Sequence, residues 1–150
     1  NQKIILIDIG TGTGCIPISI IKTLKQLSNI PANKLNQIEK NITTLAIDIS
    51  KKALALAQKN AQKHQVKINF LHGNLLKPIT KSKIFKQKSK IIITANLPYL
   101  TLKQIKQEPS IQHEPKLALL AGNDGLKYYR QLFKQLQKNY SSLLILYLLK

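Results

Sequence analysis

An α/β domain built on a mainly parallel, twisted sheet with helices on both faces is predicted by three observations. Short apolar runs alternate with stretches of helical spacing. The first run ends in a glycine-rich turn that opens a helix. Three successive runs end on polar side chains, Asp8, Asp48 and Asn74, where open α/β sheets place their ligands.

The elements follow in order. Ile4 to Ile7 is a continuous apolar run, as a strand covered on both faces requires. Asp8-Ile-Gly-Thr-Gly-Thr-Gly14 is the turn. Cys15 to Leu27 reads as a helix with Ile16, Ile20, Ile21 and Leu24 on one side. Pro17 is tolerated in its first turn. Ser28 to Asn41 is polar and contains Pro31, which predicts a loop with a short helix near Lys34 to Ile38. Thr43 to Ile47 is the second strand and Asp48 ends it. Ser50 suits the N-cap of an alanine-rich helix over Lys51 to His64. Val66 to Leu71 alternates with Lys67 and Asn69, the pattern of a strand nearer the sheet edge. Lys77 to Lys90, with Pro78, predicts a loop or a poor helix. Ile91 to Ala95 is β-branched and reads as a buried strand. Leu126 to Asn139 is amphipathic, with Tyr129, Leu132, Phe133 and Leu136 on one face. Leu143 to Leu149 is the fifth strand. Crossovers between these parallel strands should be right-handed.

With 150 residues and 43% hydrophobic content, the chain is long enough for one domain with a core. No apolar run approaches membrane-span length, and no secretory pattern opens the chain. The first residue is Asn1 and there is no Met, so the chain is expected to be a piece of a longer protein. A buried strand at its end predicts further strands beyond it. The single cysteine, Cys15, cannot form an internal disulfide, which fits a reducing cytosol. It reads as a small packing residue. A cytoplasmic monomer is expected, with no membrane partner.

The net charge of +18 favours RNA, ribosomes or acidic protein surfaces. Yet the excess is almost all lysine, with Arg130 the single arginine. Arginine is the better fork for phosphate, so the excess reads first as compositional bias. His64, His72 and His113 lack metal-ligand spacing, and no metal is expected.

Asn96-Leu97-Pro98-Tyr99 follows the fourth strand directly. A neutral amide beside a ring at a strand's carboxyl end suits another flat, hydrogen-bonding group, either an amide or a nucleobase edge. A plain Asn-x-Pro turn is the competing reading. In the glycine turn, Gly10 permits the bend, while Gly12 and Gly14 let the backbone approach a ligand and the helix pack on the strand. No Gly-Lys-Ser/Thr follows, so this is not a Walker phosphate loop. Asp8 just ahead of the turn suits a cationic ligand better than a pyrophosphate. Asp48 can accept both hydroxyls of a ribose. It lies further along the chain than the usual ~20 residues, and the Ser28 to Asn41 insertion accounts for the excess. Ile49 can pack on a base, and the Asn74 amide oxygen can accept an exocyclic N–H.

An adenosine and a cation together describe S-adenosylmethionine, and at this point the chain resembles the class I, Rossmann-like methyltransferases. Asp8-Ile-Gly-Thr-Gly-Thr-Gly-Cys-Ile16, Ala46-Ile-Asp-Ile-Ser50, Asn96-Leu-Pro-Tyr99, Glu114-Pro115 and Gly122-Asn-Asp-Gly-Leu126 occur in this order. Together they are similar to the PrmC/HemK family, protein glutamine methyltransferases that act on peptide chain release factors. The resemblance implies that the Asn96 side-chain oxygen and the Leu97 carbonyl accept the two N–H groups of the substrate amide. Tyr99 would pack on the amide plane, and Pro98 would hold Leu97 extended. It further implies that Asp8 lies near the methionine amino group. Gly10, Thr11, Gly12 and Gly14 would line the methionine moiety, with Asn96 also beside the cofactor. Asp48 would hold the ribose, Ile49 the base, and Asn74 and Leu75 would flank the adenine.

The chain departs from that pattern at Asn74, where Asp is usual, and at Leu97, where Pro is usual. Glu114 is expected to hold the substrate loop or to cap a helix. The family's helical substrate domain, which precedes the first strand, and its final strands have no counterpart here. An adenine amino methyltransferase acting on ribosomal RNA or DNA is the main alternative, since ribosomal RNA dimethyladenosine transferases share Asn-Leu-Pro-Tyr. A ribosomal-protein glutamine methyltransferase and a non-catalytic basic RNA-binding module are the others.

Overall fold

A computed structural model describes residues 3–26, 30–86, 89–111, 113–139 and 144–148. The strands are β1 (Lys3–Ile9), β2 (Ile42–Asp48), β3 (Asn69–His72), β4 (Ser89–Ala95) and β5 (Leu144–Leu148). The helices are α1 (Cys15–Gln26), α2 (Ala32–Asn41), α3 (Lys51–Lys63), α4 (Leu102–Gln107), α5 (Lys116–Leu119) and α6 (Lys127–Asn139). All pairings are parallel, in the order β3-β2-β1-β4-β5. The chain thus winds outward from β1 on one side and returns to the other side at β4. The reversal falls between β1 and β4, where ligands of such sheets bind.

The apolar runs became strands because both sheet faces are covered. Ile5, Ile7 and Ile9 pack with Ile91, Ile93, Leu132 and Leu136 in one cluster, so α6 covers one face. Ile18, Ala61 and Val66 form a second cluster, built from α1, α3 and the segment after it. No helix among the described residues is long and apolar enough to cross a membrane.

Several expectations are corrected. The Ser28 to Asn41 segment holds a ten-residue helix that runs directly into β2. Pro31 precedes that helix rather than breaking it: the Leu35 N–H donates to the Pro31 carbonyl at 3.0 Å. In α1 the buried residues are Pro17 and Ile18, while Ile16, Ile20, Ile21 and Leu24 are only half-covered. In α6, Phe133 is exposed and Tyr128 takes its place, in step with Leu132 and Leu136 at four-residue spacing. β3 is shorter than its pattern, because Val66 serves to close α3. Its N–H donates to the Ala61 carbonyl at 3.0 Å, after a left-handed Gln65. Residues 77–90 hold two 3₁₀ turns, Lys77–Ile79 and Lys83–Lys86, and the last two residues join β4. Helices α4 and α5 were not anticipated. Leu27, Ser28, Asn29, Leu143 and Leu149 lie outside the described residues.

Candidate active site

The glycine turn is pinned to the neighbouring strand. Gly10 and Thr11 both donate N–H to the Ile47 carbonyl, at 2.8 and 3.1 Å. Gly12 donates to Asp48 Oδ2 at 2.8 Å, and Ser50 donates to Asp48 Oδ1 at 2.8 Å. Each oxygen of Asp48 therefore holds one backbone N–H and keeps lone-pair capacity for a further donor. The Gly73 N–H donates to the Asp48 carbonyl at 2.9 Å, tying the end of β3 to the same point. Replacing Asp48 by Ala removes two charge-assisted bonds. A stability loss of about 2 kcal/mol is expected from urea unfolding, before any ligand is added.

The end of β4 meets this turn. A Cβ on Gly10 would stand 3.0 Å from Leu97 Cδ2 and 3.7 Å from the Asn96 carbonyl oxygen. The Leu97 side chain is buried in the core, only 3% exposed, so the backbone on either side is anchored. This is what leucine supplies where proline is usual. Tyr129, half-buried, donates its hydroxyl to the Leu97 carbonyl at 3.5 Å, a long contact that leaves the oxygen free to accept more.

A cavity of about 230 Å³ opens at this junction. Nine of the residues singled out from sequence line it: Gly10, Gly12, Asp48, Ile49, Asn74, Leu75, Asn96, Leu97 and Pro98. Asn96 is exposed toward it. A Cβ on Gly12 would meet nothing within 4 Å. Leu75 holds φ +52°, a strained left-handed conformation for leucine, on the cavity wall. Pro115, Leu117, Ala118 and Tyr128 form its outer wall, and sequence reasoning missed all but Pro115. Glu114 is exposed and α5 carries no side-chain cap, so the helix-capping expectation for it is corrected.

Four of the singled-out residues stand outside the lining. Gly14 lets α1 pack on α3: a Cβ there would be 3.1 Å from Ile18 Cδ1 and 3.2 Å from Ala57 Cβ. Tyr99 is 41% exposed, and its backbone lies against Gly125. Thr11 and Asp8 are buried beneath the turn. Asp8 accepts from Thr94 Oγ1 at 2.5 Å across the β1–β4 pairing, while its Oδ2 and the Thr11 Oγ1 have no partner. Two orphaned buried oxygens directly under a glycine turn fit an adjoining cationic or donor group.

Burial pushes the Asp8 carboxyl above its ordinary range; the hydrogen bond from Thr94 opposes the shift, as does the nearby Thr11 hydroxyl, although that hydroxyl makes no hydrogen bond of normal geometry, and the Asp48 charge adds to it. A raised folded-state value favours folding below the unfolded value of 3.8. That contribution is lost as pH rises through the folded value. Asp8→Asn, which removes the buried charge, is therefore expected to raise Tm at pH 7. The gain should shrink toward zero as the pH is lowered below about 4. Thermal melts of both proteins across that range check the sign.

Residues 1–145 match the family model described as Methyltransferase domain. The chain belongs to that family. This methyltransferase domain is 37% identical over 145 residues to the release factor glutamine methyltransferase of Flavobacterium psychrophilum, an alignment covering 95% of the chain and 43% of that protein. It is 34% identical over 139 residues to the protein of the same name from Enterococcus faecalis, covering 91% and 43%. The chain thus spans less than half the length of these curated relatives. Among solved structures, the hMettl16 catalytic domain in complex with the MAT2A 3'UTR hairpin 1 superposes with a TM-score of 0.60. At 17% identity, over 89% of this chain and 45% of that one, the likeness is one of fold. The methyltransferase domain thus has the Rossmann-like, class I architecture that its sequence predicted.

Proposed function

We propose that the protein transfers a methyl group from S-adenosylmethionine to the side-chain amide nitrogen of a glutamine in a peptide chain release factor. The observation that carries this reading is the junction of the two half-sites. Asn96 and Leu97 leave β4 in contact with Gly10, on the same cavity as Asp48. The names of the relatives, at 34–37% identity, support the choice of substrate.

The residues fit the cofactor. Asp48 retains acceptor capacity for ribose hydroxyls, Ile49 and Leu75 offer apolar walls for a base, and the glycine turn leaves room for the remainder. Asn74 supplies an amide for the adenine edge. Asp8 and Thr11 act from beneath the turn, on the methionine amino side. Bound there, S-adenosylmethionine supplies an electrophilic methyl group and leaves as S-adenosylhomocysteine.

The chain's own part is positioning. An amide nitrogen is a poor nucleophile because its lone pair is delocalised into the carbonyl. Two acceptors, the Asn96 side-chain oxygen and the Leu97 main-chain oxygen, hold its N–H groups. They fix the direction of attack and stabilise the positive charge that develops. Pro98 keeps Leu97 extended, and Tyr99, exposed just outside the cavity lining, would pack on the amide plane. No base is required before transfer, since the proton becomes acidic only after the methyl is attached. A release-factor substrate would be met in the cytoplasm, which supports that location for the protein.

The test offers the full-length protein radiolabelled S-adenosylmethionine with release factor, ribosomal protein and ribosomal RNA in parallel. Label in a release-factor glutamine is expected. Label confined to RNA would instead establish an adenine methyltransferase, and label only in ribosomal protein would move the glutamine elsewhere.

A further inference from the structure

Gln135 lies beside Leu132 and Leu136 on α6, the helix that packs on the sheet, where an apolar side chain would be expected. It is half-buried there, and its amide has a defined partner. Oε1 accepts the backbone N–H of Leu76 at 2.8 Å, a bond that joins positions 59 residues apart. The partner is a donor, so the amide must present its oxygen. Leu76 is fully buried in the core, out of reach of bulk water, so its N–H depends on a protein acceptor.

What this bond restrains is a wall of the cavity. The Lys77 N–H donates to the Asn74 carbonyl at 3.1 Å, so Asn74 to Lys77 form one closed turn with Leu75 and Leu76 at its centre. Leu75 holds φ +52° there, and turns with positive φ at that position take glycine by preference. A leucine stays in such a conformation only where its surroundings over-determine it. Just ahead of the turn, the Gly73 N–H is held by the Asp48 carbonyl at 2.9 Å. At its centre, Leu76 is held from α6 by Gln135. Asn74 and Leu75 lie between these two ties and line the cavity, as does Tyr128 of the same helix. We propose that Gln135 is a positioning residue for the purine of the cofactor. Through Leu76 it keeps Asn74 and Leu75 where the base meets them. This rests on the placement of S-adenosylmethionine given above, and not on which molecule is methylated.

The test is calorimetry of the full-length protein with two ligands. One is S-adenosylhomocysteine; the other is its analogue with hydrogen in place of the purine 6-amino group. Gln135→Met keeps the length and helix propensity of the side chain but removes the acceptor. Gln135→Glu restores an acceptor at the same reach. Gln137→Met, exposed on the same helix, is the control. Gln135→Met strands a buried donor, and should bind S-adenosylhomocysteine about tenfold more weakly than the parent. Its preference for the ligand carrying the amino group should fall by about threefold or more, as Asn74 moves out of register with the base. Gln135→Glu should recover most of both, and Gln137→Met should match the parent. A merely structural role would not move the preference, because loss of folded protein lowers the number of sites titrated and leaves the ratio of the two affinities unchanged. An unchanged preference in Gln135→Met, or a Gln135→Glu protein as impaired as Gln135→Met, would overturn the proposal while leaving the cofactor's placement standing. A parent that binds neither ligand, or both equally, would overturn that placement and the proposal with it.

Discussion

Asn96→Ala is expected to reduce methyl transfer by about 10²–10³-fold while calorimetric affinity for S-adenosylmethionine stays within threefold. The side chain is exposed on the cavity. Under the proposed function, what disappears is one of two acceptors for the substrate amide, an interaction that strengthens as positive charge grows on nitrogen. The loss should therefore appear in kcat more than in KM. Asn96→Asp keeps an acceptor and tests the chemistry separately. It should recover part of the rate, because a carboxylate oxygen still accepts the N–H that the Asn96 amide oxygen would hold, but it introduces a charge beside the turn. Equal loss of turnover and of cofactor affinity would remove Asn96 from the acceptor side of the site.

Gly125→Ala should destabilise the protein by about 3 kcal/mol or more, through both φ and sterics. The residue sits at φ +75°, and a Cβ there would overlap the Tyr99 carbonyl oxygen at 2.2 Å. That carbonyl belongs to backbone, with no flexible end to move aside. Relief would require shifting the segment that follows Pro98, which is tied down by Leu100 donating to the Leu119 carbonyl and Ala121 donating to the Leu100 carbonyl. Gly122 provides the comparison. It has φ +83°, but its added Cβ would meet nothing nearer than 3.5 Å. Gly122→Ala should show the conformational term alone, about 1–2 kcal/mol. At about 2–4 °C per kcal/mol for a chain of this size, thermal melts separate the two. Matching shifts would show that the Tyr99 contact is immaterial.

The central strands were legible because burial on both faces leaves an unbroken apolar run, as in Ile4 to Ile7 and Ile91 to Ile93. The floor of the site was legible for a related reason. Glycines 10 and 12 and the polar ends Asp48, Asn74 and Asn96 have few uses in a core other than meeting a ligand, and all line one cavity. Its outer wall was not legible. Leu117 and Ala118 sit in a four-residue helix too short to show a period, held by pairing to Leu100 that only tertiary structure reveals. Tyr128 was hidden by assigning the neighbouring phase of α6, although its four-residue step to Leu132 carried the signal. The bond from Thr94 to Asp8 spans 86 residues and depends on which strands are neighbours. Strand order does not follow from a sequence of apolar runs.

The contact of Gly10 with Leu97 has a consequence for how this site can diverge. In the proposed reaction the cofactor and substrate halves meet at that seam, so bulk added on either side would be felt at once by the other. Changes of preference are then expected to come through the four-residue helix α5 rather than the floor, since Leu117 lines the cavity and is exposed.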